Sequence, residues 1–261
     1  MPAEINTPQL VLHQLNQSRG NRAVLHGLDL VLMPGELVGV IGPNGSGKTT
    51  LLRSISGRLP VTQGSVFIAG LDPSLEPKEA RRHTGTVPDG DQLPPALSGN
   101  QLLELWSQAW QLGGIPAETI ELAARVELAE RLGEPLETWS LGMKQKLALL
   151  LALMPRPRLL LLDESFNSLD PLSAWTLRRE LRAQCDAGAA ALACSHQIGQ
   201  LEKDCDRVLL LLDGHWVKGW TREERQREAA AGRDLEDLFI AALGDRPAQQ
   251  PVYGKGTPHG D

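Results

Sequence analysis

No apolar run in this 261-residue chain approaches the roughly 20 residues that a bilayer-crossing helix needs. The runs 159–162 and 208–212 are strand-sized, so any membrane role is expected to come through a partner. Met1 to Leu12 lacks a charged region followed by an apolar core, and no signal peptide is expected. Basic blocks are also missing. The net charge is -6, and the short Arg81-Arg82-His83 run reads as a solvated helix end, which argues against nucleic acid as a partner. Cys185, Cys194 and Cys205 form no C-x-x-C pair, so reduced thiols in a cytosolic protein are expected rather than a disulfide framework.

What is present is an alternation of short apolar runs and helical patterns, the mark of a largely parallel sheet covered by helices. Strands are expected at Leu37–Ile41, Leu159–Asp163, 189–194 and 208–212, and helices at 48–56, 172–184 and 198–203. Segments 10–15, 25–32 and 66–69 alternate apolar with polar residues and read as an antiparallel sheet. From 100 to 153 the periodicity is helical, with Leu102, Leu103, Trp106 and Trp110 on one face and an almost wholly apolar stretch at 147–153. The fold class expected is therefore α/β, with an antiparallel β subdomain and an inserted helical subdomain. The Pro-, Gly- and Gln-rich stretch 245–261 reads as a disordered tail.

Gly42-Pro43-Asn44-Gly45-Ser46-Gly47-Lys48-Thr49, followed by Thr50, fits G-x-x-x-x-G-K-[ST] between an expected strand and an expected helix. In that context the glycines let backbone N–H groups turn inward around a phosphate, and the helix dipole adds positive potential. Lys48 would bring a point charge to the β- and γ-phosphates of ATP, and the Thr49 hydroxyl would bind Mg²⁺. The run Leu159–Leu162 ends in Asp163, placed to meet the water shell of that Mg²⁺, and in Glu164. Strand alternation alone cannot put both carboxylates on one side. As the chain leaves the sheet, however, Glu164 can reach a water in line with the γ-phosphate and act as general base.

Ser140-Leu141-Gly142-Met143-Lys144-Gln145 stands before the apolar helix that leads into the acidic strand. There the sequence resembles the ABC ATPase family, whose signature is usually Ser-Gly-Gly-Gln; Leu141 and Met143 depart from that form. Asn167-Ser168-Leu169-Asp170-Pro171 resembles the family's D-loop, and Ser195-His196 follows an expected strand where the family carries its switch histidine. The resemblance spans about 10–244. It implies a P-loop NTPase core (1–88 and 156–225), a helical subdomain of about 89–155 and a C-terminal helix of about 226–244. It also implies an ATP-sandwich homodimer in which Ser140, Gly142 and Asp170 are nucleotide-site residues: Ser140 and the helix it opens face the γ-phosphate held by the other chain, Asp170 helps join the halves, and His196 holds the γ-phosphate and the attacking water. The family partner is a separate transmembrane permease subunit, with the chain peripheral on the cytoplasmic face of the membrane through that permease.

Two departures bear on the site. The family stacks an aromatic on adenine shortly before the P-loop, yet none precedes Phe67; Arg19 lies near that place and can stack through its guanidinium. In Val87-Pro88-Asp89-Gly90-Asp91, Asp89 stands where the family has the Q-loop glutamine. It can serve as an oxygen ligand toward Mg²⁺ or as the turn residue of Pro-Asp-Gly. Residues 93–105 with Trp106 and Trp110 are the candidate permease-facing patch, and Trp139 is the tryptophan to watch beside the signature. The run 235–244 resembles the short terminal helix of single-cassette exporter ATPases, so export is expected. The alternative is a non-transport ABC protein, a soluble assembly factor or a nucleotide-gated binding subunit.

Overall fold

The computed structural model describes residues 7–20, 22–196 and 198–244. The chain opens with an antiparallel hairpin, β1 (Leu10–Arg19) and β2 (Arg22–Leu32). β3 (Leu37–Ile41), all five of its residues buried, leaves the hairpin for a second sheet and runs into α1 (Lys48–Ile55). β4 (Gln63–Ile68) then returns to pair with β1, which closes a three-stranded antiparallel sheet of order β2-β1-β4. β1 is longer than its apolar alternation suggests. Register shifts between Leu12 and Leu15, with Gln14 at φ 47°, break the period-2 pattern while the pairing continues to Arg19.

α2 (Pro77–Arg82) carries Arg81 and Arg82 exposed at its end, and β5 (Thr84–Thr86) follows. Then come a 3-10 turn at Gly90–Gln92, α3 (Gly99–Ala109), α4 (Ala117–Arg125) and α5 (Leu141–Leu153). Every residue of α5 from Lys146 onward is buried, as an all-round apolar helix requires. β6 (Leu159–Asp163), α6 (Pro171–Asp186), β7 (Ala190–Cys194), α7 (Ile198–Asp204), β8 (Arg207–Leu212), β9 (His215–Thr221), α8 (Arg222–Ala230) and α9 (Leu235–Gly244) complete the order. The second sheet runs β5-β6-β7-β3-β8-β9, parallel except where β9 turns back along β8. β5 and β9 escape the sequence reading because Thr-Gly-Thr and His-Trp-Val-Lys-Gly-Trp-Thr hold no apolar run. Among the described residues no helix is long and apolar enough to cross a membrane. The expected tail at 245–261 lies outside the described residues.

Two hydrophobic clusters flank the larger sheet, and β6 feeds both: Leu160 and Leu162 pack with α5 and α6, while Leu159 and Leu161 pack with α1 and the antiparallel sheet. That two-sided burial explains a run of four leucines with no polar alternation. Trp139 belongs to the first cluster at 4% exposure. It is a core residue and not an interface or nucleotide-proximal one beside the signature: its ring packs on Gly99, where a Cβ would lie 2.9 Å from Cη2. Within the expected permease-facing patch, Leu93, Leu102 and Leu103 are buried as well, and Leu105 is exposed.

The β8–β9 turn is latched to the rest of the fold at Gly214. Its N–H donates to Ser46 O and its carbonyl accepts from His26 N–H, each at 3.0 Å. With φ at +76°, a Cβ there would lie 2.0 Å from Val24 O. Gly214→Ala is expected to lower stability by about 2 kcal/mol or more, from strain and overpacking together. Urea unfolding followed by circular dichroism checks it, and an unchanged midpoint would contradict the latch.

Candidate functional site

Register brings the chemistry to one edge. Cys194 of β7 pairs with Val40 on one side and Asp163 on the other, so β3, β6 and β7 end in a single row. The next residues in each chain segment are the Gly42 loop, Glu164 and Ser195. Open parallel sheets place ligands beyond the carboxyl ends of their strands where the strand order reverses. Here a cleft of about 750 Å³ opens there, lined by Gly45, Gly47, Lys48, Thr49, Asp163 and Glu164 among others. Cys194, fully enclosed beneath the row, has its thiol pushed well up by burial and by the Asp163 charge, so it stays protonated.

The loop is built to receive anionic oxygen. Gly42 passes so close to β8 that a Cβ would sit 2.2 Å from Leu211 O. Gly47 caps α1 at φ +112°, and no acidic residue occupies the first turn of that helix. Lys48 is buried, and its Nζ donates to Gly42 O at 2.7 Å and Pro43 O at 3.3 Å. Both acceptors are neutral, so the ammonium charge is available to an incoming anion. Ser46 Oγ is buried without a hydrogen-bond partner among the described residues. Pro43, Asn44 and Gly45 are exposed at the mouth, Thr49 is exposed beside the lysine and Thr50 is buried. The donor set fits a polyphosphate. The Thr49 hydroxyl and the half-buried Asp163 carboxylate line the same cleft, an all-oxygen pair suited to a hard cation that keeps most of its waters.

Glu164 shares that cleft with Asp163 by a backbone device. Its φ is +49°, a left-handed conformation that costs a non-glycine residue about 1–3 kcal/mol. The turn swings its side chain to the side that strand alternation would deny it. The carboxylate is then held from three directions. His196 Nδ1 lies 2.9 Å from Oε1, Asn167 Nδ2 donates to Oε2 at 2.9 Å, and Ser195 Oγ lies 3.3 Å from Oε2. Such a group can orient a water and accept its proton. Asn167 and Ser195 stand in the motifs quoted from the sequence, but their contact with Glu164 is visible only in the fold.

Ser140, Gly142, Asp170 and Asp89 do not line this cleft. Ser140 is exposed and caps α5, its Oγ accepting from Met143 N–H at 3.3 Å. The first turn of α5 is fixed against the loop that follows Glu164: a Cβ on Gly142 would lie 2.8 Å from Ser168 O, and Gln145 Nε2 donates to Ser165 O at 3.1 Å. Asp170 caps α6 by accepting from Ser173 N–H and pairs with Lys146 Nζ, both at 2.8 Å. The sequence signal for that pair is Lys146 itself, the cation of α5 that borders the apolar run 147–153 and so needs a partner. Asp89 is exposed and caps the 3-10 turn, accepting from Asp91 N–H at 3.3 Å and Gln92 Nε2 at 3.4 Å. Turn chemistry captures its short side chain. Its neighbour Gly90 packs against α5, where a Cβ would meet Gln145 N at 3.1 Å.

The hydrogen bond from Lys146, with that from Ser173 N–H, holds the Asp170 carboxyl well below the ordinary carboxylate range. A depressed folded pKa contributes stability that is present above the unfolded value near 3.9 and is lost as pH falls through the folded one. Wild type is thus expected to be more stable than Asp170→Asn at pH 7, with the difference narrowing below about pH 4 as the unfolded chain takes up its proton. Thermal melts of both proteins at pH 7 and pH 3 measure it. A gap that stays constant across that range would contradict the charge pairing.

Three comparisons bear on this arrangement. Residues 25–167 match the family model described as ABC transporter. The chain is 34% identical over 209 residues to YdbJ of Bacillus subtilis (strain 168), an uncharacterized ABC transporter ATP-binding protein; the match spans 79% of this chain and 67% of YdbJ. It is 29% identical to the Nod factor export ATP-binding protein I of Rhizobium etli, over 94% of this chain and 73% of that protein. Among solved structures, one described as the ATP binding subunit of an ABC transporter superposes with a TM-score of 0.81 at 28% identity, covering 90% of this chain and 99% of that one.

Proposed function

The chain belongs to the ABC transporter family as one of its ATP-binding proteins, and on that premise we propose that it hydrolyses ATP in an ATP-bridged homodimer that drives a separate transmembrane permease subunit. One observation carries the catalytic part. The Glu164 carboxylate, anchored by His196 and Asn167, opens on the cleft that also holds Lys48, Thr49 and Asp163.

Each residue has a step. The N–H groups of Gly45 to Thr50 surround the β-phosphate at the start of α1. Lys48 turns from the Gly42 and Pro43 carbonyls onto the β- and γ-phosphates. Thr49, and Asp163 through water, would hold Mg²⁺, whose charge would offset that of the phosphoryl oxygens. Glu164 orients a water in line with the γ-phosphorus and takes its proton as the P–O bond to ADP breaks. His196 stays hydrogen-bonded to Glu164 and reaches the γ-phosphate, while Asn167 and Ser195 keep the carboxylate aimed.

The exposed amino end of α5, with Ser140 and Gly142, has no phosphate of its own chain before it. A helix amino terminus attracts anions, so this surface suits the γ-phosphate bound by a second copy in a two-fold arrangement. Asp170 joins the halves beside it. Loss of the γ-phosphate removes the bridging group and loosens the dimer. Asp89 and its turn, packed on α5 through Gly90, would report that change toward the permease and approach the metal's waters when the turn moves. The lean toward export rests on relatives such as the Nod factor export protein; the site would then lie on the cytoplasmic side, peripheral on the membrane through the permease. In this reading 1–88 and 156–225 form the ATPase core, 89–155 the helical arm and 226–244 a terminal element. Orthophosphate release from Mg·ATP by the purified chain tests the catalytic claim. A chain that binds ATP and releases none would contradict it.

A further inference from the structure

Two segments far apart in the sequence, the Asp89 turn and the loop after Glu164, meet on one side chain. Gln145, one turn into α5, donates from Nε2 to the carbonyl of Ser165, the residue after Glu164, at 3.1 Å. Its Oε1 and its backbone N lie against Gly90, where a Cβ would stand 3.1 Å from each. Ser165 is 3% exposed, and among the described residues no backbone N–H reaches its carbonyl. Gln145 thus supplies the partner that a buried acceptor requires. That carbonyl belongs to the turn that aims Glu164. Glu164 stands at φ +49°, its N–H held by Cys194 O at 2.9 Å. A non-glycine residue keeps such a conformation only while its surroundings over-determine it.

We infer that Gln145 is a positioning residue for Glu164, and that its amide ties the aim of that carboxylate to the placement of the Asp89–Gly90 turn. The inference rests on reading Glu164 as the general base. Cys194 pins the Glu164 N–H, and Gln145 pins the carbonyl one residue on, so the turn is held against relaxation toward negative φ. Without the Gln145 donor the buried carbonyl has no partner, and the turn gains by rotating toward one. Such a rotation carries the Glu164 side chain away from the cleft, because the positive φ is what brings it round. Asp89 caps its own turn and does not line the cleft. A displacement of that turn reaches the carboxylate through Gln145 and the Ser165 peptide, a route that needs no ligand from Asp89.

Orthophosphate release from Mg·ATP by the full chain, with kcat and KM separated, tests the link. Gln145→Glu keeps the length of the side chain and its place against Gly90 but exchanges the donor for an acceptor. It is expected to lower kcat roughly tenfold or more, as small misplacements of a reacting group do. KM should stay within about threefold, since the phosphate contacts are untouched. Gln145→Leu is expected to match it; should that variant melt early, Gln145→Glu carries the test. Gly90→Ala presses a methyl on the same amide and is expected to lower kcat in the same direction. On a Glu164→Gln background, none of the three should cost more than about twofold further, because residues that act as a unit are not additive. Single-turnover assays reach those slow rates. Parental kcat in Gln145→Glu would overturn the inference, and parental kcat in Gly90→Ala would overturn the tie to the turn. A full further loss on Glu164→Gln would overturn it as well, since a merely structural role adds. A parent chain that binds Mg·ATP and releases no orthophosphate overturns the reading of Glu164 itself, a failure told apart because it precedes any substitution at 145.

Discussion

Lys48→Ala is expected to bind Mg·ATP roughly 100-fold more weakly than wild type, since charge-assisted contacts contribute about 1.5–3 kcal/mol each. The effect should be large because of what surrounds the amine now. Its Nζ is held only by the Gly42 and Pro43 carbonyls, and no carboxylate forms an ion pair with it among the described residues, so nothing of opposite charge competes with phosphate. The loop cannot take over the task. Its N–H groups are donors of partial charge, whereas the β- and γ-phosphates together carry several negative charges. Lys48→Met keeps the buried stem and guards against a folding artefact. Both variants should melt near wild type while losing affinity in calorimetry. Affinity within threefold of wild type would remove Lys48 from the phosphate site.

The second large effect is expected at Glu164. Glu164→Gln should retain ATP binding yet release orthophosphate at least ~100-fold more slowly, as general-base losses do. The substitution is nearly isosteric, and the amide oxygen can still accept from Asn167 Nδ2, now at 2.9 Å from the carboxylate. What disappears is the capacity to take a proton and the charge that orients the water. His196→Ala leaves that proton acceptor in place and removes only one of its three supports, so its rate should fall less than that of Glu164→Gln. Steady-state orthophosphate release for the three proteins checks the order. Normal turnover in Glu164→Gln would take the residue out of the chemistry.

Much of the arrangement was legible in the chain because its signals are local. Short apolar runs mark β3 and β6, and alternation marks β1 and β2. The glycine spacing of 42–47 marks a loop whose chemistry hardly depends on the rest of the fold. The less legible parts depend on distant contacts. β9 exists because β8 offers it an edge, not because His215–Thr221 has a strand's pattern. Glu164 reaches the cleft through a positive φ that no residue preference announces, since glutamate is not a residue that seeks it. Trp139 drew notice as a possible interface or nucleotide-proximal residue because it adjoins Ser140 in sequence, yet it is buried where α5 begins. Asp89 was legible both as a ligand and as a turn residue, and local hydrogen bonding decides which of the two this conformation uses.

The account stands on a site shared between two copies, in which the exposed amino end of α5 meets phosphate bound by the other chain. The most direct measurement is the mass of Glu164→Gln by light scattering, with and without Mg·ATP. The account predicts a monomer that becomes a dimer only when Mg·ATP is present, and that stays monomeric with Mg·ADP because the bridging γ-phosphate is missing. A protein that binds Mg·ATP in calorimetry and remains a monomer would contradict it.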